Sequence, residues 1–149
     1  MIVPYNDEYF MKRALQEANL ALSKNEVPIG AIIVMNNQII ARAHNLVETL
    51  NDVTAHAEMQ AFTAASDYLG GKYLTKCTLY VTLEPCQMCA GASYWAQLGK
   101  IVYGAKDKAR GFRSSNIKLH PKTKVVGGVL EEECSLLLKQ FFIEKRNLN

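Results

Sequence analysis

The chain is short of several residue types, and each shortage narrows what it can be. Four cysteines in 149 residues are too few for the disulfide framework that staples small secreted domains. The longest apolar runs, such as GAIIVM and GGVL, fall well below the roughly 20 residues a membrane-spanning helix needs. The opening MIVPYNDEYF carries early acids and no basic-then-apolar pattern, so it does not read as a secretory signal. There is no low-complexity tract, internal repeat or linker rich in proline, glycine and serine, which argues against disorder outside the extreme termini. Histidine occurs only at 44, 56 and 120. These shortages predict one cytoplasmic domain over residues 1–149, with no membrane partner.

What is present suits a single core, with 49% hydrophobic and 21% charged residues. The net charge of +3 is unevenly placed. It is −3 over residues 1–99, +7 over 100–124 and −1 over 125–149. The middle block holds Lys100, Lys106, Lys108, Arg110, Arg113, Lys118, Lys122 and Lys124 against Asp107 alone. Such density points to a polyanionic partner, with a solvated surface loop as the alternative.

Periodicity supplies the elements. Residues 6–24 read as a helix capped by Asn6, with Phe10, Ala14, Ala18 and Ala21 on one face. GAIIVM and QIIARA flank Asn36-Asn37 and read as a β-hairpin, because asparagine tolerates the positive φ of a two-residue turn. Residues 56–69 are predicted helical with Thr54 as a possible cap. TLYVTL (78–83) reads as a buried strand, and 86–97 as a helix opened by Pro85. Residues 100–104 form another strand, 125–130 a weaker one, and 131–146 an amphipathic helix. Strands alternating with helices predict an α/β domain with helices on both faces of one sheet. Cys77 and Cys134 are expected to be buried as small hydrophobes.

The chemistry concentrates in TLEPCQMCAG. Cys86 and Cys89, three apart at a helix start, share a face, and the helix N-terminus favours their thiolates. A C-x-x-C pair alone can be a redox dithiol, half of a structural zinc site or part of a catalytic one. No second C-x-x-C exists, but His56 opens a helix in TAHAE. His56, Cys86 and Cys89 would make three ligands, the number a catalytic zinc uses when water takes the fourth position. Glu58 would then carry protons. Residues two apart on a helix diverge by about 200°, so both can face a metal only if His56 lies in an irregular first turn. The H-x-E…P-C-x-x-C pattern is the signature of zinc nucleobase deaminases.

On these residues the chain resembles the cytidine deaminase-like superfamily and, within it, bacterial tRNA-specific adenosine deaminases. The resemblance also runs through NEVPIGAIIV, ARAHN, NDVTAHAEM, KIVYGAKD and GGVLEEECSLLLKQFF. It implies a three-layer α/β/α fold with a mixed sheet and one Zn²⁺ per subunit on His56, Cys86 and Cys89. It further implies attack of water on adenine C6, with Glu58 as the proton carrier. Asn45, Ala57 and Pro85 would contact the flipped base. The substrate would be the wobble adenosine of a tRNA anticodon stem-loop, and the enzyme a homodimer. Lys106, Lys108, Arg110, Arg113, Lys145 and Arg146 are the candidate RNA contacts. Val53 stands where the family usually has proline. Tyr94 and Trp95 are expected in the core or a dimer interface, at least one of Phe141 and Phe142 in the core, and Glu84 in a structural role. Ala90 and Gly91 suggest close helix packing beneath the metal. A deaminase of free guanine or cytosine would share the zinc site without needing the basic block. A zinc-stapled or redox module would need a fourth ligand or a Cys86–Cys89 disulfide.

Overall fold

The computed structural model describes residues 5–148; the MIVP opening lies outside that range. Helix α1 (Asp7–Ser23) starts where Asn6 accepts a hydrogen bond from Tyr9 N at 2.8 Å. Strands β1 (Gly30–Met35) and β2 (Gln38–His44) pair antiparallel. Their turn residues Asn36 and Asn37 have φ of 52° and 59°, the left-handed pair a two-residue hairpin demands. A short helix, α2 (Val47–Leu50), follows where the sequence carries no period long enough to announce it. Then come α3 (Ala57–Leu69), β3 (Thr78–Leu83), α4 (Gln87–Trp95), β4 (Lys100–Ala105), β5 (Lys124–Val126) and α5 (Glu131–Asn147).

The five strands form one sheet in the order β2-β1-β3-β4-β5. The β1–β3 pairing is antiparallel, whereas β3–β4 and β4–β5 are parallel. The sheet is therefore mixed, as the resemblance implied. Alternate residues point to opposite faces. Ala31, Ile33, Leu79, Val81, Ile101 and Tyr103 bury against α3 and α4, with Ala57, Ala61, Phe62 and Ala90. Ile32, Val34, Tyr80 and Val102 bury on the other face with Phe10, Met11, Ala14 and Cys134 of α1 and α5. This makes three layers.

Close backbone approach sets the spacing of the layers. A Cβ at Gly30 would strike Ala14 O and Ala18 N of α1, so only glycine lets α1 lie this close to the sheet edge.

Three local expectations change. Thr54 does not cap α3; its hydroxyl and amide bond Asp52, and His56 takes the cap position. The strand expected over 125–130 stops at Val126, because Gly127 and Gly128 follow and Gly128 turns to φ 85°. A Cβ on Gly91 would meet nothing within 4 Å, so this glycine serves no close packing, although Ala90 beside it is fully buried. Cys77 and Cys134 are both buried, as expected.

Candidate metal centre and active site

The sheet brings its site-forming ends together. The end of β3 lies beside the end of β4, through the Leu83–Ala105 pairing. Because β1 runs antiparallel to β3, its start lies at the same edge, and Gly30 pairs with His44 at the end of β2. The loops after β2, β3 and β4 and the loop before β1 thus converge, and the N-termini of α3 and α4 open there.

Each helix places a ligand at its cap. His56 caps α3 in an extended conformation (φ −69°, ψ 155°), and Cys86 caps α4 likewise (φ −73°, ψ 174°). Neither makes a side-chain capping bond. Their side chains turn to each other instead: His56 Nδ1 lies 3.6 Å from Cys86 Sγ and 3.6 Å from Cys89 Sγ. This resolves the 200° difficulty, since His56 stands off the helical wheel while Glu58 is on it.

The spacing fits a tetrahedral ion. Zn–S bonds of about 2.3 Å and Zn–N bonds of about 2.05 Å at tetrahedral angles place sulfur and nitrogen about 3.6 Å apart. The three ligand atoms all lie within 4.8 Å of one another. Among the described residues no fourth protein ligand joins them, and both thiols are free. The closed-staple and disulfide alternatives therefore find no support in the geometry.

Electrostatics follow from this crowding. The hydrogen bond from Cys89, then that from His56, outweigh burial and bring Cys86 down to about 3. The same Cys86–Cys89 contact, with burial, pushes Cys89 up. Metal binding requires both thiols as thiolates, so a cation held there would displace their protons. The hydrogen bond to Cys86 raises His56 against its own burial. Glu58, 4% exposed, is raised to about 7, chiefly by burial.

A cleft of about 1110 Å³ opens over this group. His56, Glu58, Cys86 and Asn45 line it. Asn45 is buried, and its backbone N–H donates to Ile29 O at 3.1 Å. Ala57 and Pro85 are buried and do not line the cleft. Pro85 O already accepts from Phe112 N at 2.9 Å.

The candidate RNA contacts divide. Arg110 and Lys145 stand on the cleft wall, while Lys106 and Arg146 line a neighbouring groove with Lys139 and Phe142. Lys108 is exposed beside them in sequence. Arg113 is drawn away, its guanidinium 5.5 Å from the Tyr103 ring centre. Phe141 is buried and Phe142 half exposed. Glu84 is structural: its oxygens accept Asp107 N and Arg113 N, both at 3.1 Å, holding the loop that carries Arg110. The other histidines lie elsewhere. His44 sits between Glu17 Oε1 (3.3 Å) and Lys24 Nζ (3.0 Å), and His120 accepts from Lys122 N. Trp95 is 78% exposed and Tyr94 partly so, which overturns a core placement for either.

Lys24, Asn25 and Glu26 also line the cleft. Nothing local in the sequence marks Lys24 or Glu26 as site residues, because Lys24 Nζ meets His44 20 residues on and the Glu26 carboxylate meets Glu48 and Thr49 22 and 23 residues on.

A three-layer mixed α/β fold with a His/Cys/Cys group at two helix starts, beside a buried carboxylate, is the frame of a hydrolytic nucleobase deaminase. The chain matches the MafB19-like deaminase family over residues 5–147. It is 49% identical to the tRNA-specific adenosine deaminase of Bacillus subtilis, covering 94% of this chain and 91% of that one. A solved tRNA:A34 deaminase, studied for A-to-I editing at the wobble position, superposes with a TM-score of 0.80 at 40% identity, covering 87% of this chain and 99% of that one. A guanine deaminase from Bacillus subtilis gives a TM-score of 0.65 at 40% identity over 74% of this chain and 68% of that one. The chain belongs to the tRNA-specific adenosine deaminases of the MafB19-like deaminase family.

Proposed function

We infer that this protein deaminates adenosine to inosine at the wobble position of a tRNA anticodon loop. The observation that carries the chemistry is His56 Nδ1 at 3.6 Å from both cysteine sulfurs, with Glu58 buried in the same helix turn. The ion we assign is one Zn²⁺ per chain. Zinc held there supplies Lewis-acid activation of water near neutral pH.

The chain's own groups then divide the work. The carboxylate of Glu58 takes one proton from the attacking water and passes it to the purine ring nitrogen, then carries the remaining hydroxyl proton to the departing amine, which leaves the C6 carbonyl of inosine. Water adds at C6, the C6–N6 bond breaks and ammonia leaves. Burial suits Glu58 to this exchange, since a carboxyl raised to about 7 both takes and gives a proton near neutrality. Asn45 orients the extruded base.

Arg110 and Lys145 on the cleft wall suit phosphates, which favours a stretch of RNA over a free base. An anticodon base is also unpaired already, so extruding it costs little. We place the enzyme in the cytoplasm as a single deaminase domain; among the described residues no helix is long and apolar enough to cross a membrane. We further propose a homodimer, for which exposed Trp95 and Tyr94 are candidate interface groups.

The test gives the purified protein an anticodon stem-loop, free adenosine, guanine and cytosine, with metal measured on the same sample. Inosine in the stem-loop and one zinc per chain are expected. Ammonia from free guanine with an unchanged stem-loop would transfer the reading to the guanine deaminases.

A further inference from the structure

The reaction leaves one buried carboxylate on the cleft wall unused. Glu26 is 0% exposed, a rare place for a glutamate without partners. Its partners are not cations. Glu26 Oε1 accepts Glu48 N at 3.0 Å, and Oε2 accepts Thr49 N and Thr49 Oγ1, both at 2.6 Å. Burial alone would raise its pKa, but these donors prevail and hold it below the ordinary carboxylate value. It is therefore charged at neutral pH.

The two residues it grips belong to the loop 46–55. That loop closes on itself, Leu46 N bonding Ala55 O at 3.0 Å, and it joins Asn45 directly to His56. Most of it is exposed, Val53 at 81% and Leu50 at 52%, so apolar burial does little to fix it. Helix α2 inside it has no capping side chain of its own, its cap position being Leu46. Glu26 binds the second and third amides of α2, the pair a local cap would bind, from 22 residues earlier in the chain. Among the described residues, every side-chain hydrogen bond from outside the loop to the loop comes from Glu26. Val47, Glu48 and Thr49 in turn line the same cleft as the basic residues Arg110 and Lys145.

We propose that Glu26 is a positioning residue for substrate binding: its carboxylate holds loop 46–55 in place as a preformed wall for the nucleotides beside the reacting base. The proposal rests on the RNA-deaminase reading above. A preformed wall spares the ordering cost that a loose loop would charge to every binding event. Losing the anchor therefore weakens binding and leaves the chemical step, which Glu58 and the metal ligands perform, nearly intact.

The test is Glu26→Gln in the full chain. Glutamine keeps the size but points an N–H donor at one of the amide donors. KM for an anticodon stem-loop should rise about tenfold or more, while kcat moves less than about threefold and metal content stays unchanged. Hydrogen exchange in the free protein should quicken at the Glu48 and Thr49 amides and not in α3 or β3. Thr49→Val removes only the hydroxyl bond and should raise KM by about threefold; it decides the matter if Glu26→Gln fails to fold. An unchanged KM in the folded variants, or exchange quickened evenly across the chain, would reduce Glu26 to a general stability role and overturn the proposal. Should the native protein turn over no stem-loop, the functional reading falls, and the exchange pattern still decides whether Glu26 anchors the loop.

Discussion

Glu58→Gln tests the chemistry most directly. The substitution keeps the side chain's volume in a site that is 4% exposed and removes only its ability to carry a proton. Deamination uses that ability twice, once on the attacking water and once on the departing amine. General acid–base catalysis contributes about 10²- to 10⁴-fold, or about 2.7–5.4 kcal/mol of barrier. The structure places the loss at the upper end, because no neighbour can substitute. Glu26 and Glu84 are bound by backbone amides. Asp107 Oδ1 already accepts Ala109 N and Arg110 N, and Glu48 is exposed. A loss of about 10⁴ in single-turnover inosine formation is expected. Metal content should be unchanged, since His56, Cys86 and Cys89 are untouched. Thermal stability should change little, since glutamine fills the same buried volume. A Glu58→Gln protein that edits the stem-loop within tenfold of the native rate, with full metal, would refute Glu58 as the proton carrier.

Particular contacts set the remaining expectations. Changing Arg110 and Lys145 together to alanine should lower the salt slope of RNA binding by about 1.4, at about 0.7 per phosphate contact for single strands. Arg113→Ala is the control and should leave the slope nearly unchanged, because its guanidinium lies over Tyr103. Glu26 has a folded pKa below its unfolded value of 4.5, so its contribution to stability is complete above about pH 4.5 and fades as pH falls through the folded value. Denaturant titrations should show Glu26→Gln flattening the stability profile in that acid window. Gly30→Ala should cost about 1–3 kcal/mol in urea unfolding through its clash with α1. Gly91→Ala, with open space at its Cβ inside α4, should instead gain up to about 1 kcal/mol.

Much of the fold was legible because it is written in local periods. The α1 face, the Asn36-Asn37 hairpin and the buried β3 each need only their own residues. The limits appear where local signals compete. Thr54 looked like the cap of α3, yet Asp52 holds it and His56 occupies the cap. Nothing local distinguishes a serine-like cap from a metal ligand at that position until the other ligands are seen. The four-residue α2 is too short for any period to show. Trp95 reads as a core residue by type, but its side of α4 carries no covering layer within one chain.

The amino-acid sequence by itself narrowed the candidate donor set. It holds three histidines and one C-x-x-C, so His56, Cys86, Cys89 and Glu58 stand out as candidates from residue type, spacing and the resemblance that their H-x-E…P-C-x-x-C pattern carries. It also determined the basic block over residues 100–124. Only the tertiary structure decided that His56 leaves the helical wheel, putting its nitrogen 3.6 Å from two sulfurs. It also decided which basic residues line the cleft, bringing Lys24, Arg110 and Lys145 there while Arg113 lies over the Tyr103 ring. Glu26 shows the reason most clearly. Its partners are 22 and 23 residues ahead, and a carboxylate looks the same in sequence whether it faces water or the three donors of a distant loop. Ligand identity is a property of residue type, whereas orientation and burial arise only when β1, β2 and β3 bring distant loops to one edge of the sheet.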